Sequence, residues 1–179
     1  TAFIFSRDCL EADISINGKQ ISLFVNHFKS MIGGRSKTKK RRLNQAQAVK
    51  KIIENRFGST HPGKNPFIVL GDFNDYIEAG NENSSALPEL VHWNQVVNIV
   101  EDLPLEDQWT HFYSKKNEYR QLDYILVSNT LYSSVSSIEI ERRGMPRRAT
   151  KYPGPRFRGV GHDNPKASDH CPVLVELDI

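Results

Sequence analysis

The chain has 179 residues, 38% of them hydrophobic and 25% charged, with a formal net charge of +3. That length favours one domain, and no run approaches the roughly 20 consecutive apolar residues of a membrane-spanning helix, so a soluble protein is expected. The first residue is Thr rather than Met, so the segment reads as processed or cut from something longer, and no compartment can be assigned.

The chain opens with strands. Leu10 to Ile16 alternates moderately, Asn17-Gly18 suits a tight type I′ hairpin turn, and Ile21, Leu23 and Val25 alternate with Ser22, Phe24 and Asn26. The second strand delivers Asn26-His27 to its C-terminal end. Phe28 to Lys37, with Gly33-Gly34, reads as a loop. From Lys39 to Phe57 the apolar positions Leu43, Ala46, Val49, Ile53 and Phe57 recur every three or four residues, predicting an amphipathic helix that Gly58 terminates. A Pro- and Gly-bearing connection leads into a buried strand, Phe67 to Leu70, and then Gly71-Asp72-Phe73-Asn74. A short helix is expected around Leu87 to His92, and the periodicity from Trp93 to Leu105 is ambiguous. Trp109 to Tyr113, Arg120 to Val127 and Ser136 to Glu141 read as strands. Arg142 to Lys166 is a long loop rich in Pro, Gly and Arg, of the kind that is functional or disordered in a compact domain. Ser168-Asp169-His170 then precedes a closing strand, Pro172 to Ile179. Strands interleaved with helices make an α/β sheet protein the expected class.

Polar residues at the ends of apolar strands are the chemical signal. Residues two apart on an extended segment share a side, so Asp72 and Asn74 can face one site while Phe73 packs away from it. A carboxylate beside an amide suits Mg²⁺ or Mn²⁺, which take oxygen ligands; Asp and Asn also serve as ordinary turn formers after a strand. Asp169-His170 enters an apolar strand abruptly, and the imidazole can donate a proton or stabilise a phosphate oxyanion. Asp123 lies in the apolar run Leu122 to Val127, where a buried carboxylate needs a partner, and His170 is the natural one; a solvent-facing Asp123 is the alternative. His27, Lys29 and Ser30 follow another strand.

Two basic clusters, Arg35 to Arg42 and Arg142 to Arg158, lack interspersed acids and favour an anionic partner, against the default of solvated surface. Lys29, Arg41, Arg42, Arg147 and Arg148 are the candidate phosphate or nucleic-acid contacts. Cys9 and Cys171 have no metal-ligand spacing, and Cys171 reads as a small buried hydrophobe rather than half of a disulfide.

Four segments in order, Asn26-His27-Phe28-Lys29-Ser30, Gly71-Asp72-Phe73-Asn74-Asp75, Leu122-Asp123-Tyr124-Ile125-Leu126 and Ser168-Asp169-His170-Cys171-Pro172-Val173, resemble the endonuclease/exonuclease/phosphatase superfamily, which includes DNase I-like nucleases. The resemblance implies a DNase I-like two-sheet α/β sandwich and Mg²⁺-dependent (or Mn²⁺-dependent) phosphodiester hydrolysis. It implies that Asp72 orients or deprotonates the attacking water, Asn74 holds the phosphate or that water, and Asp72, Asn74 and Asp169 lie at the metal. It also implies that His170, polarised by Asp123, stabilises the pentacovalent phosphate, and that His27 contacts the phosphate and assists the leaving group. Earlier family segments, carrying an Asn and a principal metal-ligating Glu, have no match before Cys9. Residues 1–179 therefore read as a single partial domain, its C-terminal half, with a basic loop at 142–166. Such a half is expected to be weakly active alone and to need its N-terminal half or to self-associate. A nuclease acting on DNA or RNA is the main expectation, with a phosphoinositide or other small phosphoester phosphatase, or a non-catalytic anion- or partner-binding module, as alternatives.

Overall fold

A computed structural model describes residues 3–5 and 7–179 of the chain; Thr1, Ala2 and Ser6 lie outside the described residues. Hydrophobic alternation in β1 (Leu10–Ile16) and β2 (Lys19–His27) closes the expected hairpin around Asn17-Gly18, where both residues take positive φ. The chain then runs through α1 (Arg35–Phe57), β3 (Phe67–Asp72), α2 (Pro88–Val91), β4 (Val96–Asn98), β5 (His111–Tyr113), β6 (Glu118–Arg120), β7 (Asp123–Ser128), α3 (Asn129–Tyr132), β8 (Val135–Ile140) and β9 (Val173–Leu177).

Five strands form a mixed sheet in the order β1-β2-β3-β7-β4, with β2 and β3 parallel and the other neighbours antiparallel. Its two faces have different cover. Phe24, Val69 and Leu126 pack with Val49 and Ile53 of α1 in one core, and Ile21, Ile68, Ile125 and Val127 meet Ile138, Val173, Val175 and Leu177 of the β8-β9 hairpin in another. The arrangement is the expected two-sheet α/β sandwich. No helix among the described residues is long and apolar enough to cross a membrane.

Two departures from the expected elements have local causes. Helix α1 starts at Arg35, inside the expected loop, although its first turn carries no acidic residue to favour the positive end of the helix dipole. The buried carboxylate of Asp75 instead fixes the start of the helix through side chains, taking Nε–H of Arg35 at 2.7 Å and of Arg42 at 3.0 Å. The expected strand Arg120 to Val127 is two strands broken at Gln121-Leu122, because the Thr110 hydroxyl accepts the backbone N–H groups of Leu122 and Asp123, both at 3.0 Å. The ambiguous stretch after Trp93 holds β4 followed by a 3₁₀ turn, Ile99–Asp102.

The basic clusters need correction. Arg42 is wholly buried, so it is not a phosphate contact; its guanidinium bonds Asp75, Thr38 and backbone carbonyls. In the 142–166 loop, Arg156 donates to the carbonyls of Met145, Gly154, Ala149 and Tyr152, and Arg142 donates to that of Trp109 while covering its ring. These arginines fasten the loop, which Met145 and Ala149 anchor in a small core with Trp109, Phe112 and Cys171. Cys9 and Cys171 are free thiols.

Candidate active site

The sheet register assembles the centre of the site. His27 is the Cα partner of Asp72 across the parallel pair, and Asp72 is the partner of Asp123 across the antiparallel pair. The three side chains therefore form one row across β2, β3 and β7, on the face that the β8-β9 hairpin covers further along. Like charges placed directly opposite each other destabilise a sheet, so the Asp72-Asp123 pair is a cost to folding that an added cation or proton relieves.

Gly71 makes the row possible. Its φ is +131°, and a Cβ there would lie 1.9 Å from the carbonyl oxygen of Asn26. Beneath the row, Phe28, Phe73 and Tyr124 stack successively at 4.7 and 4.9 Å between ring centres. Asn74, at φ +52°, turns its side chain back, so that its backbone N–H and Nδ2 donate to the two oxygens of Asp72 at 2.8 and 2.7 Å. Its Nδ2 also reaches the Phe28 carbonyl at 3.2 Å.

His170 enters from the segment before β9. Its Nδ1 lies 2.9 Å from Oδ2 of Asp123, which also accepts the Thr110 hydroxyl at 2.7 Å. The hydrogen bond to Asp123 outweighs partial burial and raises the His170 pKa above 6.5. Asp72 is raised as well, first by burial and then by the Asp123 charge. His27 is more exposed, with Nε2 3.5 Å from Asp72 and the Arg7 guanidinium against its ring.

Asp72, Asp123 and His170 can each offer one atom to a common point, their ligand atoms lying within 4.8 Å of one another. The hard carboxylate oxygens of Asp72 and Asp123 are of the kind a divalent cation takes as ligands. Asp169 stands outside this group. Its side chain is about half exposed, 3.6 Å from Lys166, while its carbonyl accepts the Phe112 N–H. Lys29 turns to Ser30, Arg41 is exposed on α1, Arg148 pairs with Asp163, and Arg147 lies exposed in the 142–166 loop.

Thr110 and His111 belong to the site without any signal in the sequence beyond their place in an expected strand. A single bridge joins His111 to His170, and the two rings lie 4.7 Å apart. Burial, and then the His170 charge, depress His111 to about 4.

The sequence profile of the Endonuclease/Exonuclease/phosphatase family matches residues 1–178, nearly the whole chain. The chain belongs to this family. Among solved structures, the AP endonuclease of Archaeoglobus fulgidus aligns with a TM-score of 0.58 at 16% identity, covering 94% of this chain and 65% of its own. An endonuclease/exonuclease/phosphatase family protein from Leptotrichia buccalis aligns at 0.57 and 16% identity, covering 94% and 52%. A mannosyl-6-phosphatase of Bacteroides thetaiotaomicron aligns at 0.51 and 20% identity, covering 91% and 53%. This endonuclease/exonuclease/phosphatase chain thus shares their fold and spans about half to two thirds of their length. No curated protein matches it. Members of the family are hydrolases acting on phosphoesters.

Proposed function

We propose that this chain carries the phosphate-handling centre of a divalent-metal-dependent phosphodiesterase, with a nuclease as the main reading. The observation that carries it is the Asp72-Asp123 cross-strand pair, two carboxylates held face to face with His170 locked onto one of them. Mg²⁺ or Mn²⁺ held at Asp72 would neutralise charge on the phosphate and on the attacking water. Asp72, braced by Asn74, orients or deprotonates that water. His170, whose protonated form the bond to Asp123 favours, faces the charge that develops on the phosphoryl oxygens, where a fixed donor is most effective. His27 is placed to contact the phosphate and assist the leaving group.

A cavity of about 340 Å³ borders His111 and is lined by Met31, Ile32, Tyr113 and Leu122, with Arg35, Lys116, Arg120 and one acid, Glu118. An apolar recess with more cations than acids suits a nucleoside attached to phosphate better than a bare polyphosphate, which supports the nuclease reading. Two aligned structures, the mannosyl-6-phosphatase and a Neisseria 3′ phosphatase bound to product DNA hairpin, keep a monoester phosphatase as the second reading.

The test compares DNA, RNA and soluble phosphomonoesters, with Mg²⁺, Mn²⁺ or chelator. Diester cleavage that chelator abolishes, and that Asp72→Ala or His170→Ala lowers by about 10²-fold or more, is the expected result. Cleavage unaffected by both substitutions would overturn the assignment, and monoester release alone would favour the second reading. With Asp72 and Asp123 as the clustered carboxylates among the described residues, the 179-residue chain is expected to bind Mg²⁺ weakly and turn over slowly.

A further inference from the structure

Helix α1 buries two polar side chains on its sheet-facing side, where an amphipathic helix would place hydrocarbon, and a third, Asp75, is buried against them. Arg42 is 0% exposed and Gln45, one turn on, is 1% exposed; Asp75, which meets Arg42, is also 0% exposed. All three are hydrogen-bonded. Asp75 Oδ1 accepts Arg35 Nε–H at 2.7 Å and the Tyr76 N–H at 3.0 Å, while Oδ2 accepts Arg42 Nε–H and the Ala86 N–H, both at 3.0 Å. Arg42 also donates to the Thr38 hydroxyl at 2.6 Å and to the carbonyls of Arg35 at 2.8 Å and Lys29 at 3.4 Å. Gln45 Oε1 accepts the Lys29 N–H at 2.8 Å.

The two strand ends that carry the site are therefore tied to the same turn of one helix. Lys29 lies two residues beyond His27 at the exit of β2, and both its N–H and its carbonyl are held by α1. Asp75 lies one residue beyond Asn74 at the exit of β3, and its carboxylate is held by α1. Between these ties, Asn74 spans the gap by donating Nδ2 to both the Phe28 carbonyl and Asp72. A buried ion pair is not needed for stability, since apolar residues of similar volume commonly serve as well. What it adds is direction: a guanidinium with several fixed acceptors permits one placement of the two exits.

We propose that Arg42, Gln45 and Asp75 are positioning residues, a clamp through which α1 sets His27 beside Asp72 and holds Asn74 in the left-handed conformation that braces the Asp72 carboxylate. Outer partners that orient metal-site ligands typically contribute 10- to 100-fold in metal affinity or activity. The clamp acts at that level, without touching substrate.

The test uses the full chain and three readouts: hydrogen exchange of the Asn74 side-chain amide by NMR, Mn²⁺ affinity, and kcat and KM on bis(p-nitrophenyl) phosphate. Its kinetic part rests on the phosphodiesterase reading; the amide readout does not. In Arg42→Met and Gln45→Met, the Asn74 amide should lose protection and Mn²⁺ affinity should fall by about tenfold or more, with kcat falling and KM nearly unchanged. Arg42→Lys, which keeps the charge but cannot meet all four acceptors, should be intermediate. Should Arg42→Met fail to fold, Gln45→Met decides, because it removes the tie at the Lys29 N–H and leaves the ion pair intact. Folded variants with wild-type Asn74 protection and Mn²⁺ affinity would overturn the proposal. A wild-type chain that shows Asn74 protection but no turnover would sink the phosphodiesterase reading and leave the clamp to be judged by the amide.

Discussion

At the scale of single residues, the pKa values of the two facing histidines are pushed in opposite directions. His111 is depressed to about 4 by burial and by the His170 charge, whereas His170 is raised above 6.5 by its bond to Asp123. Their effects on stability fall in separate pH windows. Between about pH 4 and 6.5 the unfolded chain binds a proton at residue 111 that the folded chain does not. Stability should therefore fall as pH falls through that window, with a slope approaching about 1.4 kcal/mol per pH unit. His170 has the reverse sign: its contribution is complete below pH 6.5 and is lost as pH rises through its raised pKa. Urea denaturation of the metal-free protein across this range should show both limbs. His111→Phe should flatten the acid limb and leave the alkaline one, and His170→Asn should remove the alkaline limb. An unchanged acid slope in His111→Phe would assign the loss to other groups. For activity, a protonated His170 and an ionised Asp72 require opposite conditions, so the rate should peak between their two pKa values.

At the scale of elements, the site depends on how β2 and β3 approach each other. Gly71 occupies a conformation that side chains rarely adopt, and a Cβ would meet Asn26 backbone, which cannot yield as a flexible side chain can. Gly71→Ala should cost roughly 2–4 kcal/mol in thermal or urea unfolding and abolish activity in what remains folded. Gly18→Ala is the control: φ there is +79°, but nothing lies within 4 Å, so it should cost only about 1 kcal/mol. Equal losses in the two variants would mean that backbone conformation, not the close strand approach, is what Gly71 provides. These same elements show what the sequence could reveal. His27, Asp72, Asp123 and His170 stand out because each interrupts or borders an apolar run; the sheet register aligns the first three, and His170 joins them from the segment before β9. Thr110, His111 and Asp75 carry no such mark, since their partners are remote in sequence and appear only once the chain is folded. Arg42 misleads for a related reason. Within a run of cations it looks like solvated surface, and only the buried Asp75 shows it to be interior. The arginines of the 142–166 loop are similar, because the backbone carbonyls that Arg142 and Arg156 satisfy have no signature in composition.

At the scale of the whole molecule, the cover over the central sheet is uneven. Helix α1 and the phenylalanine stack protect one face, and the β8-β9 hairpin protects the other over β3 and β7. Register places Leu10, Ala12 and Ile14 of β1 beside Val25, Leu23 and Ile21 of β2 on the hairpin-facing side. Beyond the hairpin's reach, Leu10 is 59% exposed, Ile14 36% and Ile16 39%, and Leu23 and Val25 are only half-buried. The opposite side of β1 is polar, with Asp13 joined to Arg56 of α1, so the alternation is that of a strand with one face meant for burial. β1 is also an edge strand whose outer backbone groups have no strand partner among the described residues, a second route to pairing. As an isolated 179-residue chain, the protein is therefore expected to self-associate through this face. Sedimentation velocity over a wide concentration range should show the weight-average mass rising with concentration. Ile14→Lys combined with Leu10→Glu should suppress the rise without unfolding the chain, because both side chains are already in contact with water. A wild-type monomer at every concentration would mean that the β1-β2 surface is tolerated in solution. An association unaffected by the double substitution would place the contact elsewhere.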